Sequence, residues 1–99
     1  MASDALPPLV ALRAFEAVAR RLSFKGAADE LSVTPTAISH HIRNLEQHVG
    51  VRLLERTPRT CRLTPDGSTL FEATTSGFDD IRRAVGRLRR KDTRSLLTL

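Results

Sequence analysis

Residues 27–46, AADELSVTPTAISHHIRNLE, restrict what this chain can fold into more than any other stretch. Ala27, Ala28 and Leu31 recur at helical spacing, and a tight break, Ser32-Val33-Thr34, ends that helix. A second amphipathic helix follows at once, with Ala37, Ile38, Ile42 and Leu45 on its apolar side. Two helices joined by so short a bend are the pattern of a helix-turn-helix, which can lay its second helix in the major groove of duplex DNA. The polar side of that helix carries Thr36, Ser39, His40 and Arg43, all able to hydrogen-bond to bases or phosphates, and none acidic.

The flanking sequence supplies the rest of a domain. Residues 1–7 are expected to be a disordered N-terminus. Leu9, Leu12, Phe15, Ala19 and Leu22 predict a helix over 8–21, with Pro8 in its first turn, where a missing N–H matters little. Ser23 is a good N-cap for a helix over about 24–31. Thr34 caps the next helix, Pro35 is its first residue, and Gly50 follows its end. Val51, Leu53 and Leu54 then lead into an extended run. Thr57-Pro58-Arg59-Thr60 reads as a turn, and Cys61–Thr64 as a returning strand. A hairpin bearing Arg56, Arg59 and Arg62 after a helix-turn-helix makes a winged helix.

Thr64 and Pro65 open a further helix, reaching about residue 91. Phe71, Phe78 and Val85 are seven apart, and so are Thr74, Ile81 and Leu88, which predicts a coiled-coil seam. Gly77 and Gly86 interrupt it at roughly 1 kcal/mol each relative to alanine. Arg87, Arg89, Arg90 and Lys91 sit where the helix dipole favours cations. Ser95–Leu99 resembles the first residues of a strand. The expected fold is mainly α: a winged helix-turn-helix of three helices plus a β-hairpin wing over 8–67, then a long dimerisation helix over 65–91.

Composition narrows the function. A chain of 99 residues is one domain with a small core that buries about 60% of its unfolded surface, which favours a partner subunit. Sixteen Lys+Arg against 11 Asp+Glu give a net charge of +5, which favours an anionic partner, nucleic acid first. The absence of Trp and Tyr leaves little for stacking on single strands. One cysteine excludes an internal disulfide, and no metal-ligand spacing is visible, so neither metal nor cofactor is expected. No apolar run approaches the ~18 residues of a membrane span, and MASDALPPLV lacks the basic start of a secretion signal, so the expected compartment is the cytoplasm. No nucleophile–base pair, carboxylate dyad or phosphate-cradling glycine loop supports an enzyme. A helical protein-interaction module built on the seam is the rival to a duplex-binding domain.

From Leu9 to Arg90 the chain resembles the DNA-binding domain and linker helix of LysR-type transcriptional regulators, most nearly the subgroup of the glycine-cleavage activator and the β-lactamase regulator. The resemblance is carried by LPPLVALRAFEAVARRLSFKGAADEL, by VTPTAISHHIRNLE, and by Leu53, Leu54, Arg56, Arg59, Leu63, Thr64 and Gly67 of VRLLERTPRTCRLTPDG. It implies a homodimer, joined through the linker helix, on an interrupted palindrome in double-stranded DNA. It also implies a small-molecule effector bound only by the full-length protein, in a domain starting near 92–99. Pro35 stands where the family commonly has Gln, Thr36 where it has Pro, His41 where it has Gln and Leu54 where it has Phe. The Gln base contact is therefore not carried over to Pro35.

The duplex-facing set is Lys25, Thr34, Pro35, Thr36, Ser39, His40, Arg43, Arg56, Arg59 and Arg62. Arg43 can reach guanine or a phosphate. Arg59 is the wing residue suited to a narrow minor groove. Arg56 and Arg62 contact phosphate, or hold the hairpin through Glu55 or Asp66. Lys25 is either a phosphate contact beside free N–H groups or a solvated lysine. Cys61 reads as a small apolar residue and not a redox switch. Phe71, Phe78, Ile81, Val85 and Leu88 form the dimerisation seam, preferred over packing on the chain's own domain.

Overall fold

A computed structural model describes residues 5–98, with side chains through Lys91. The elements run α1 (Leu9–Arg21), α2 (Phe24–Leu31), α3 (Pro35–Val49), β1 (Leu54–Arg56), β2 (Cys61–Leu63) and α4 (Pro65–Thr98). The fold is a winged helix-turn-helix continued by one long helix.

Local chemistry sets the helix ends. Ser23 Oγ accepts from the Gly26 N–H at 2.9 Å, and Thr34 Oγ1 from the Ala37 N–H at 3.0 Å. Thr64 Oγ1 accepts from the Gly67 N–H at 2.9 Å and so caps α4. Each satisfies an N–H that has no partner inside its own helix. Pro8 precedes α1 without a side-chain cap. Leu22, Ser32 and Gly50 end α1, α2 and α3 in the left-handed region.

The first three helices pack around Phe15, Val18, Ile38 and Leu45, joined by Leu53 from the approach to the hairpin; all five are fully buried. Burial of each such side chain contributes about 1.5–3 kcal/mol. Arg20 bonds both Glu16 (3.0 Å) and Glu30 (2.6 Å), and Arg21 bonds Glu30 (2.6 Å), fastening α2 to α1.

The hairpin is antiparallel, pairing Leu54 with Leu63, Glu55 with Arg62 and Arg56 with Cys61. Its base is held from two sides. The Glu46 carboxylate on α3 accepts from the Leu53 and Leu54 N–H groups at 2.8 and 3.3 Å. Thr64 donates through its N–H to the Leu53 carbonyl (3.0 Å) and through Oγ1 to the Arg52 carbonyl (2.7 Å).

Helix α4 departs from expectation in two ways. Phe71 and Phe78 pack, half-buried, on the chain's own core, whereas Ile81, Val85 and Leu88 are exposed. The seam is therefore two surfaces, because the first half of α4 lies over α1 and finds local apolar area to cover. A seven-residue period reports only that one side is apolar, not which surface covers it. Second, the helix runs past Lys91 to Thr98, so Ser95–Thr98 is helix and not the start of a strand. A lone strand leaves its N–H and C=O groups unpaired, while continued helix pairs them within the segment. Residues 5–7 belong to neither helix nor strand. Of the expected disordered segment, residues 1–4 lie outside the described residues, as does Leu99.

Candidate nucleic-acid interface

Helix α3 turns Ile38, Ile42 and Leu45 inward, which leaves its opposite side to solvent. Thr34, Pro35, Thr36, His40 and Arg43 are exposed on it, Ser39 and His41 are half-buried, and the His40 and His41 rings meet edge to face at 6.4 Å. Glu46 spends its carboxylate on the base of the hairpin, so the exposed side of α3 from Pro35 to Arg43 carries no acid.

The hairpin stands beside that face. Arg56, at the end of β1, donates through Nη1 to Ser39 Oγ at 3.1 Å. Its guanidinium carbon lies 3.9 Å from the centroid of the Phe24 ring. Phe24, Ser39, Arg43, Arg52 and Arg56 thus line one cleft between α3 and the wing. At the wing tip the Thr57 N–H bonds the Thr60 carbonyl (2.9 Å), the two threonine hydroxyls bond each other (2.7 Å), and Arg59 is exposed between them. Arg62 bonds Glu55 across the ladder at 3.3 Å, one of the two arrangements the sequence left open. Lys25 is exposed in the first turn of α2.

Ser39, Arg43 and Arg56 are thus brought to one cleft, Arg59 projects from the wing tip, and Arg62 is engaged with its neighbour. Three residues of this region were not singled out from sequence: Phe24, Glu46 and Arg52. Phe24 had a visible signal, since it is the one phenylalanine off the apolar helical stripes. Glu46 had none, because its bonds to Leu53 and Leu54 exist only once the hairpin folds back.

The electrostatics are those of a donor surface. Burial pushes the Cys61 thiol up, against the opposing pull of Arg56, which keeps it an inert thiol at neutral pH. Hydrogen bonds from Arg20 and then Arg21 hold the Glu30 carboxyl down at about 2. No group of three metal-ligating side chains occurs among the described residues, and no helix there is long and apolar enough to cross a membrane.

Comparison with known proteins gives this geometry a context. Residues 9–68 match the family described as "Bacterial regulatory helix-turn-helix protein, lysR family". The chain is 45% identical over 92 residues to the HTH-type transcriptional regulator BlaA of Proteus vulgaris, covering 93% of this chain and 32% of the relative. It is 41% identical over 97 residues to the glycine cleavage system transcriptional activator of Escherichia coli K12, covering 98% of this chain and 32% of that protein. It therefore spans about a third of the length of these curated relatives. Among solved structures, the BenM DBD/catB site 1 DNA complex is similar at TM-score 0.78 and 34% identity, covering 84% of this chain and 92% of that one. The CbnR DBD–DNA complex is similar at TM-score 0.74 and 31% identity, covering 84% of this chain and 95% of that one.

Proposed function

The chain belongs to the LysR family of bacterial regulatory helix-turn-helix proteins, and we propose that it binds double-stranded DNA sequence-specifically as part of a transcriptional regulator and not as an enzyme. The observation that carries this reading is the acid-free, exposed side of α3 set beside an arginine-bearing hairpin. In this reading α3 enters the major groove, and Thr36, Ser39, His40 and Arg43 address base edges or the adjoining phosphates. Thr34 and Pro35 bring the start of the helix, the positive end of its dipole, toward the backbone. Lys25, Arg56 and Arg62 act on phosphates, and Arg59 enters the flanking minor groove.

Residues 8–67 form the DNA-binding unit and 65–91 the linker helix. Two copies pair through α4, using Ile81, Val85 and Leu88 with Phe78 at the edge of the contact, and present two α3 helices to an interrupted palindrome. Phe71 contributes mainly to its own domain. In this reading a small-molecule effector binds only the full-length protein, in a domain that starts near residues 92–99, and the protein acts in the cytoplasm.

The test is a mobility shift with labelled duplex over a range of salt. Binding is expected to weaken steeply as salt rises, because each phosphate contact releases counterions. Arg59→Ala is expected to reduce affinity and to lower the salt slope by about one contact. A wild-type chain indifferent to duplex at low salt would overturn the reading and return the helical interaction module as its rival.

A further inference from the structure

The start of α2, the middle of α3 and the end of β1 meet at one side chain. The Phe24 ring is half-buried against the core and carries the Arg56 guanidinium 3.9 Å from its centroid. The same guanidinium donates to Ser39 Oγ. Arginine is only a donor, so Ser39 Oγ must be the acceptor in that bond, and its own proton is left to be donated elsewhere. A cation held against the oxygen also strengthens the O–H as a donor. In the major groove a donor complements N7 of either purine, guanine O6 and thymine O4, and is mismatched to the amino groups of cytosine and adenine.

We propose that the Phe24–Arg56–Ser39 contact sets the polarity of the reading face: Phe24 and Arg56 are positioning residues that make Ser39 a donor to an acceptor atom on a base edge. The proposal rests on the duplex-binding reading above. An aromatic ring is suited to the task for an electrostatic reason. Its negative face attracts the guanidinium without neutralising it, whereas a carboxylate in the same place would cancel the charge that faces phosphate. The two wing arginines illustrate the contrast: Arg62 is matched with Glu55, while Arg56 rests on an uncharged ring and keeps its full charge.

The experiment enriches duplexes from a randomised pool with the wild-type chain, then compares affinities for one enriched duplex. Phe24→Leu is expected to lose about fivefold, and Phe24→Tyr, which keeps the ring face, to stay within about twofold of wild type. The double variant Phe24→Leu/Arg56→Ala is expected to bind no more weakly than Arg56→Ala alone. Repeating the enrichment with Phe24→Leu, Arg56→Ala and Ser39→Ala is expected to relax the preference at one shared base pair. Losses that simply multiply in the double variant, or an unchanged base preference in both Phe24→Leu and Arg56→Ala, would overturn the proposal. Should Phe24→Leu melt early, Arg56→Ala and Ser39→Ala, which alter no core residue, still decide it by relaxing the same or different positions. Failure of the wild type to enrich any duplex would sink the duplex-binding reading itself; successful enrichment with an indifferent Arg56→Ala would sink this inference alone.

Discussion

Leu22 ends α1 with φ at 52° and its side chain 51% exposed. The left-handed conformation costs a residue with a Cβ roughly 1–2 kcal/mol, and glycine escapes that cost. Leu22→Gly is therefore expected to raise stability by up to about 1 kcal/mol, the added chain entropy of glycine offsetting part of the gain. Thermal melting followed by circular dichroism checks this; a fall in the midpoint would mean that the leucine packs usefully against the neighbouring wing. Glu30 yields a pH dependence. Its carboxyl is held at about 2, below an ordinary value of 4.5, by the hydrogen bonds of Arg20 and Arg21. A depressed acid adds stability that is complete above its unfolded value and is lost as the pH falls through its folded one. The window is thus pH 4.5 down to about 2. The pair is largely solvated, so the effect is on the order of 1 kcal/mol or less. Urea midpoints measured across that window are expected to fall less in Glu30→Gln than in wild type.

The hairpin and α4 share a joint that depends on one missing methyl group. A Cβ on Gly67 would stand 2.0 Å from the Leu53 carbonyl oxygen and 3.1 Å from Leu63 Cδ2. Neither backbone can retreat, since the same carbonyl accepts the Thr64 N–H that closes the hairpin. Gly67→Ala is expected to destabilise by about 3 kcal/mol, at the upper end of overpacking effects. A drop in the melting midpoint with reduced duplex binding is the expected result. Glu46→Ala acts on the opposite side of the same base. It strips the Leu53 and Leu54 N–H groups of their acceptor, at a cost of about 1–3 kcal/mol. Element boundaries at the helix starts were legible because Ser23, Thr34 with Pro35, and Thr64 with Pro65 act on their own next turn. The end of α4 was not, because Ser95–Thr98 suits either a strand or a helix until its neighbours are known.

The whole molecule measures 57 × 35 × 20 Å, its length set by a helix of 34 residues that at 1.5 Å each spans roughly 50 Å. Only the first part of that helix is covered by its own domain. Beyond it Ile81 and Leu88 are each 60% exposed, and Ile81 shares a cleft with Phe78 and with Leu9 of α1, which is 64% exposed. Apolar side chains gathered in this way on the surface of a small domain are suited to association with a second copy. Ile81→Asp is expected to convert a dimer to monomer in sedimentation equilibrium and to leave the melting of the isolated domain nearly unchanged. Duplex affinity should fall with it, since two linked reading heads gain from effective concentration. A variant that stays dimeric would place the contact elsewhere.

Periodicity, caps and charge act over one or two helical turns, so three helices, the turn between α2 and α3, the hairpin and the polar side of α3 were all readable from the order of residues. The joining of Arg56 to Phe24 and Ser39, the service of Glu46 to the wing, and the division of the α4 seam were not. Each depends on which segments come to lie against each other, whether 17 residues apart, as Ser39 and Arg56 are, or 7, as Glu46 and Leu53 are once the chain has folded back.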